Sequence, residues 1–346
     1  MNIFPLAAWL HILHFSCLDT QADKKHPKIR KGLKTMKKRI LTVSSANMDF
    51  VMNVSRVPDA GQTLLDNGSF RFVPGGKGAN AAVAIQRLGG DSVFCTRLGN
   101  DRNGAELRRI YSREGIDCRF IVTDPENATG LASIMVEPSG QNRIIVFPGA
   151  NSAICGDDVE SAMLCRPDAL FMQLEISPDA IIYAANYAAA HDIPIFIDAG
   201  PALPGFPFDK LPRLEVFSPN ETETEAYTGI SPSNPDACLR AATALSRMVD
   251  AHYYVIKLGG RGAYIYDGKY YFCLPAFDVK AVDTTAAGDA FTSALTLEYL
   301  RSGSIEHAGK YANLVGAMTV GRAGALPSLP TEEEIQKFAK TYGIAL

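Results

Sequence analysis

Residues 169–197 read ALFMQLEISPDAIIYAANYAAAHDIPIFI: an apolar run, a helical stretch and a second apolar run. Ala169–Met172 and Pro194–Ile197 are apolar throughout and do not alternate with polar residues, so each reads as a strand buried on both faces. Pro178–Ala190 between them carries helical spacing. Strand, helix, strand in that order is a βαβ unit, and such units build parallel sheets covered by helices.

The same alternation extends in both directions. Ile40–Val43, Ser92–Cys95, Leu214–Phe217 and Tyr253–Ile256 repeat the buried-strand pattern, and Ala79–Leu88 and Asp236–Val249 repeat the amphipathic one. The fold class is therefore α/β, a doubly wound, mostly parallel sheet with helices on both faces. Two regions, about 50–74 and 129–149, are β-rich without intervening helices. Leu131–Val136 and Arg143–Phe147 flank the turn-forming Pro138-Ser-Gly-Gln-Asn142 and read as a hairpin. Such a hairpin either extends an edge of the sheet or belongs to a small β-sheet lid over the carboxyl ends of the strands, where open α/β sheets bind ligands. Ala263–Tyr266 and Tyr270–Leu274, joined at Asp267-Gly268, are expected to extend the main sheet. Phe291–Leu300 and Ile305–Val320 read as helices, and Thr331–Glu334 as a capping box opening a last one.

The chain has 346 residues, 47% hydrophobic and 21% charged, with a formal charge of −3. No basic excess is available to neutralise a nucleic-acid backbone. The seven cysteines are scattered and never spaced C-x-x-C, which argues for a reducing, cytoplasmic compartment and against a disulfide framework or zinc site. No run of 18 apolar residues suits a membrane span. Ile3–Leu18 is apolar and Lys24–Lys38 is basic, the reverse of a signal peptide's order. Met36-Lys-Lys-Arg-Ile-Leu-Thr-Val looks like a start leading into the first strand, so residues 1–36 are expected to be an N-terminal extension, disordered or a misassigned start, with residues 37–346 as one domain. The opposing expectation is a targeting segment, under which the sequons at Asn53, Asn67, Asn127 and Asn220 would matter.

Two segments carry chemistry. In Val279-Lys-Ala-Val-Asp283-Thr-Thr-Ala-Ala-Gly-Asp289-Ala-Phe, small residues lead into a helix. The N–H groups of Ala286, Ala287 and Gly288 are expected to face outward as an anion hole, and Asp289 can accept a proton from an attacking hydroxyl. The same residues also make an ordinary helix start with an acid at its positive end. Pro74-Gly-Gly76-Lys77-Gly78-Ala-Asn80 opens the alanine-rich helix. It departs from the P-loop pattern, because Gly78 stands where Ser or Thr must follow the lysine. Glycines there allow close approach of a polyhydroxylated ligand, with Lys77 and Asn80 as donors.

These two segments, some 200 residues apart, resemble the paired motifs of the ribokinase-like family of carbohydrate kinases. Ser218-Pro-Asn220-Glu-Thr-Glu223 is similar to that family's N-x-x-E motif, and Lys257-Leu-Gly-Gly-Arg-Gly262 to its nucleotide loop. The resemblance spans about residues 38–340. It implies in-line attack of a primary sugar hydroxyl on the γ-phosphorus of Mg-ATP, with Asp289 as base and Ala286, Ala287 and Gly288 as the anion hole. By the same resemblance, Asn220 and Glu223 serve the nucleotide phosphates and magnesium, although Asn220-x-x-Glu223 is also a capping box. Lys257, Gly259, Arg261, Gly262, Gly288 and Asn313 match nucleotide positions, Lys257 standing where threonine is common. Asn47, Asp49, Gly76, Lys77, Gly78, Asn80 and Glu175 match the sugar site, and a carboxylate there suits a cis-diol. Met48 and Asp198 replace a usually small residue and a usual asparagine. Asp283, Thr285, Thr319, Arg322, Gly324 and Ser328 match a monovalent-cation site, usually for K⁺, served mostly by backbone carbonyls.

The implied function is ATP-dependent phosphorylation of O5 of D-ribose, with 2-deoxyribose, fructose, 2-keto-3-deoxygluconate or a nucleoside as other acceptors. A non-catalytic sugar- or nucleotide-binding protein is the reading of a different class. A Rossmann dehydrogenase is a weaker reading still, since no G-x-G-x-x-G follows the first strand. A protruding lid would expose an apolar face unless it paired with a second copy, so a homodimer through the lid is expected.

Overall fold

The computed structural model describes residues 37–344, and the expectations for residues 1–36 lie outside them. The chain opens with β1 (Arg39–Val43), β2 (Asn47–Asn53), β3 (Ser69–Gly75), α1 (Lys77–Arg87), β4 (Asp91–Gly99) and α2 (Arg102–Glu114). Then come β5 (Ile121–Asp124), β6 (Gly130–Val136), β7 (Asn142–Phe147), α3 (Gly156–Met163), β8 (Ala169–Gln173), α4 (Pro178–Ala190) and β9 (Ile195–Asp198). The remainder is β10 (Leu214–Ser218), α5 (Glu221–Thr228), α6 (Pro235–Met248), β11 (Ala251–Lys257), β12 (Ala263–Tyr266), β13 (Tyr271–Leu274), α7 (Ala287–Ser302), α8 (Ile305–Val320) and α9 (Glu332–Tyr342).

The main sheet has the order β13-β12-β11-β10-β9-β8-β1-β4-β5. Its strands are parallel from β5 to β11, and β12 and β13 add antiparallel at one edge. The period-2 geometry of a strand explains why those apolar runs are unbroken. Ile40, Phe94, Phe171, Phe196 and Val216 point into a core formed with α1, α2, α7, α8 and α9. Their neighbours Leu41, Cys95, Met172, Ile197 and Phe217 point into a second core with α3, α4 and α6. The chain leaves β1 for β4 on one side and later returns at β8 on the other, so β1 lies at the topological switch point. That is where open sheets of this class form a crevice.

The hairpin of β6 and β7 does not extend the main sheet. It joins β2 and β3 in a separate four-stranded sheet of order β3-β2-β6-β7, β2 running parallel to β6. The hairpin of β12 and β13 does lie at the edge of the main sheet, as its turn chemistry predicts. Among the described residues, no helix is long and apolar enough to cross a membrane.

Asp101 ties the two sheets' connections together. Its carboxylate caps α2 by accepting from Gly104 N at 2.8 Å and also accepts from Thr129 N at 2.7 Å, one residue before β6. Asp101→Ala removes a cap and strands the Thr129 amide, and is expected to cost about 2–3 kcal/mol in urea unfolding. A loss below about 0.5 kcal/mol would contradict that role.

Candidate active site

Polar groups gather at the carboxyl ends of β1, β8, β9, β10 and β11. After β1, Ser44 Oγ donates to Gln173 Oε1 at 2.7 Å, and Gln173 Nε2 donates to the Lys77 carbonyl at 3.0 Å. Ser45 donates to Glu175, which also accepts from Lys77 N at 3.2 Å. A carboxylate thus sits at the positive end of α1. The Gly-Gly-Lys-Gly sequence has a steric origin. A Cβ at Gly75 would collide with the Asp49 carboxylate, and Gly76 has φ +89° with the Asn47 amide 2.7 Å from where its Cβ would be.

Asn80 reaches from α1 to donate to Asp289 Oδ2 at 2.8 Å, and the Lys77 ammonium is 3.9 Å from Asp289 Oδ1. Asp289 is 5% exposed. Burial, reinforced by Asp198, pushes its carboxyl up to about 6, against the opposing pull of Lys77 and Asn80. Asp289 in turn holds the Lys77 ammonium above the usual lysine range. Ala286 begins α7 with φ +62°, a left-handed conformation that turns the chain sharply into the helix. The Ala287 N–H bonds back to the Thr284 carbonyl at 3.3 Å. Those of Ala286 and Gly288 take no such backbone partner among the described residues, which leaves two donors beside Asp289.

Asn47 and Asp49 lie against Gly76 and Gly75. Asn151 Nδ2 donates to Asn47 Oδ1 at 2.8 Å, while Asn151 Oδ1 accepts from Ala46 N at 2.9 Å. Asp49 Oδ1 and Asn80 Oδ1 are buried with no hydrogen-bond partner. Both are acceptors left for an outside donor, which water or a sugar hydroxyl can supply. Met48 alternates with Asn47 and Asp49 along β2 and packs in the apolar core, so it does not enter this pocket.

A cavity of about 510 Å³ lies beside the start of α7. Lys257, Gly259, Gly260, Gly262, Gly288 and Asn313 line its polar parts, and Phe277, Val279, Phe291, Ala317 and Val320 its apolar walls. Asn313 is anchored by donating to the Leu274 and Pro275 carbonyls at 3.2 and 3.1 Å. Arg261 does not line this cavity; its guanidinium pairs with Glu221 and the Pro232 carbonyl. Asn220 and Glu223 form a reciprocal capping box on α5, each bond 2.8 Å, and a Cβ at Gly200 would collide with Glu223.

At the chain's carboxyl-terminal part, Asp283 Oδ1 accepts from Thr285 N at 2.9 Å and Oδ2 from Gly324 N at 2.8 Å. Ser328 Oγ donates to the Ala325 carbonyl, Thr319 Oγ1 to the Val315 carbonyl, and Arg322 pairs with Glu334. Two loops are thereby joined, with Arg322 able to offer them only its backbone. Gln173, Asn151 and Ser45 support the site and are not among the residues that the sequence singles out. The available signal was a glutamine ending a fully apolar strand.

A family model described as pfkB family carbohydrate kinase matches residues 37–332. The chain is 31% identical over 306 residues to a ribokinase of Haemophilus influenzae, covering 88% of this chain and 99% of that protein. It is 30% identical over 303 residues to a deoxyribokinase of Salmonella typhi, covering 86% and 98%. A solved ribokinase of Arabidopsis thaliana, complexed with ribose and ATP, matches with TM-score 0.78 and 27% identity, over 88% of this chain and 99% of that one.

Burial, with Glu175 adding to it, pushes the Asp49 carboxyl up to about 7. An acid raised in the folded state lowers stability as pH climbs from its unfolded value to its folded one, about 4 to 7 here. Asp49→Asn is therefore expected to raise stability at pH 8 by about 1–3 kcal/mol and to give no gain near pH 4. Urea unfolding of both proteins at the two pH values checks this, and equal stability at pH 8 would contradict it.

Proposed function

The chain belongs to the pfkB family of carbohydrate kinases, ATP-dependent sugar kinases, and on that premise we propose that it phosphorylates O5 of D-ribose to give D-ribose 5-phosphate. The observation that carries this reading is the buried Asp289 carboxylate, set between two unpaired helix N–H groups and a pocket of orphaned acceptors. Asp289 accepts the proton of O5 as that oxygen attacks the γ-phosphorus. The bond to the bridging oxygen breaks, and ADP leaves with its electron pair. The N–H groups of Ala286 and Gly288 stabilise charge on the equatorial oxygens, and that of Ala287 joins them if its weak turn bond opens. Asn47, Asp49, Asn80 and Glu175 hold the sugar, with Gly76, Lys77 and Gly78 forming the rim.

The nucleotide occupies the cavity lined by Gly259, Gly262 and Asn313, with its phosphates toward Asn220, Glu223 and Lys257. Among the described residues, no three His, Cys, Asp or Glu side chains cluster as a metal site. Of the carboxylates near this cavity, Glu223 is the one that would hold a Mg²⁺ ion beside the phosphates, and such an ion would supply charge neutralisation to them. Asp283 keeps unused acceptor capacity between the joined loops, which supports a K⁺ site completed by Thr285 and by carbonyls of Thr319, Arg322, Gly324 and Ser328. The second sheet serves as a lid over the sugar. It exposes Phe70 (70%), Phe72 (54%) and Phe147 (56%), which supports a homodimer through it. The six described cysteines are unpaired, in keeping with a cytoplasmic setting.

The deoxyribokinase relative makes 2-deoxyribose the second candidate acceptor. A site whose buried carboxylate needs hydroxyl donors discriminates strongly against an analogue lacking one. Coupled ADP release with ATP, Mg²⁺ and K⁺ over a panel of ribose, 2-deoxyribose, fructose, 2-keto-3-deoxygluconate and adenosine is the test. Ribose is expected to lead 2-deoxyribose by about 100-fold or more in kcat/KM, with the gap collapsing in Asp49→Ala. Asp289→Asn is expected to lower kcat about 10²–10⁴-fold, and kcat/KM of the native chain to fall below about pH 6 as Asp289 takes up its proton. Preference for another acceptor would overturn ribose and keep the chemistry, and silence across the panel would overturn the catalytic reading. Size-exclusion chromatography is expected to give a dimer at micromolar concentration, and a monomer there would remove the homodimer.

A further inference from the structure

Asp198, Ser218 and Lys257 are the last residues of the adjacent strands β9, β10 and β11. The Lys257 ammonium is 2.7 Å from Asp198 Oδ1, and the two residues are only 8% and 3% exposed. Thr292, on the second turn of α7, donates to Asp198 Oδ2 at 2.7 Å and accepts from Lys257 at 3.3 Å. An ammonium has three N–H donors, and these two bonds leave one. Lys257 lines the cavity beside α7, and a Cβ built on Gly288 would lie 3.7 Å from its nitrogen. The spare donor therefore adjoins the N–H groups that open α7.

Stability does not account for this arrangement. A buried ion pair contributes little net stability compared with apolar side chains of similar volume, because both charges must leave water. What it does provide is a charge fixed in place before any ligand arrives. Such preorganisation matters most where negative charge develops in a water-poor site.

We propose that the Lys257 ammonium is a direct donor to the phosphoryl group in transit, and that Asp198 is the positioning residue that aims it. This assignment rests on the kinase reading above and extends it. Lys257 exchanges no proton in this step. The transferred proton still goes to Asp289, and the electron pair of the broken bond leaves with ADP. The two lysines divide the work, Lys77 standing beside the base and Lys257 beside the anion hole.

The test measures kcat, KM for ATP, KM for ribose and melting temperature in the full chain, its Asp198→Asn variant, and the double variant K257M/D198N. Removing both charges together leaves no buried charge unpaired, so the double variant is expected to melt within a few degrees of the native chain. Its kcat is expected to fall about 10²–10³-fold with little change in KM for ribose. Asp198→Asn keeps the ammonium but frees it, and kcat is expected to fall about 10-fold, again with KM for ribose nearly unchanged. A folded double variant with kcat within about threefold of the native value overturns the assignment of Lys257. Should that variant fail to fold, native kcat in a folded Asp198→Asn protein overturns the positioning role and with it the proposal. Absence of turnover in the native chain sinks the kinase reading itself, and this assignment falls with it.

Discussion

The hydrogen bond from Asn80 to Asp289 spans 209 residues of sequence, and the site depends on it. It joins the first turn of α1 to the first turn of α7, so both helices must present their amino ends at the same edge of the sheet. A third helix, α5, starts nearby with Asn220 and Glu223 closing its cap. Each of these positive helix ends has a carboxylate in its first turn or against its first N–H: Glu175 at α1, Glu223 at α5 and Asp289 at α7. The parallel sheet makes this convergence possible. Every crossover returns the chain to the same edge, and each connection delivers its polar residues there while the strands themselves remain apolar.

Concentrating acids in this way has an electrostatic cost. Asp49, Glu175, Asp198, Glu223 and Asp289 are set against Lys77 and Lys257, so these side chains carry three more negative than positive charges when all are ionised. Burial is the main reason that the carboxyls of Asp49 and Asp289 are raised; Glu175 adds to the first, and Asp198 adds to the second against the pull of Lys77. A nucleotide triphosphate brings still more negative charge. Its approach is electrostatically favourable only with accompanying cations. The strain of Ala286 and the unsatisfied acceptors of Asp49 and Asn80 belong to the same trade, in which stability is given up where a ligand will restore it.

The features legible in the sequence are those set locally. Buried parallel strands declare themselves by unbroken apolar runs, which is why 169–197 resolves into β8, α4 and β9 with α4 bounded at Pro178 and Ala190. The Asn220 and Thr331 capping boxes are equally local, since two residues three positions apart fix both bonds. What escapes is any contact made across the sheet. Gln173 and Ser44 meet only because β8 pairs with β1. Asn151 reaches Asn47 only because residues 149–153 fold back against the start of the second sheet. Asp198 and Lys257 read separately as two unrelated departures from a family pattern, yet they are one ion pair, with β10 passing between their strands. No spacing rule along the chain could have joined them.

The placement of the proposed sugar ligands is a question of register more than of residue identity. Asn47 and Asp49 belong to β2, which is paired along its length to β3 on one side and β6 on the other. A slip of one residue would turn both polar side chains into the core and bring Met48 out. Burial of Met48 opposes that slip, as does Asn151 gripping Asn47 and the main chain of Ala46. Gly75, at the end of β3, leaves room for the Asp49 carboxylate at that register and at no other. The second sheet and the acceptor pocket are therefore one mechanical unit. Anything that displaces the sheet, a partner at its exposed aromatic face included, moves Asn47 and Asp49 relative to Asp289, and under the proposed function acts on acceptor binding without touching Asp289 itself.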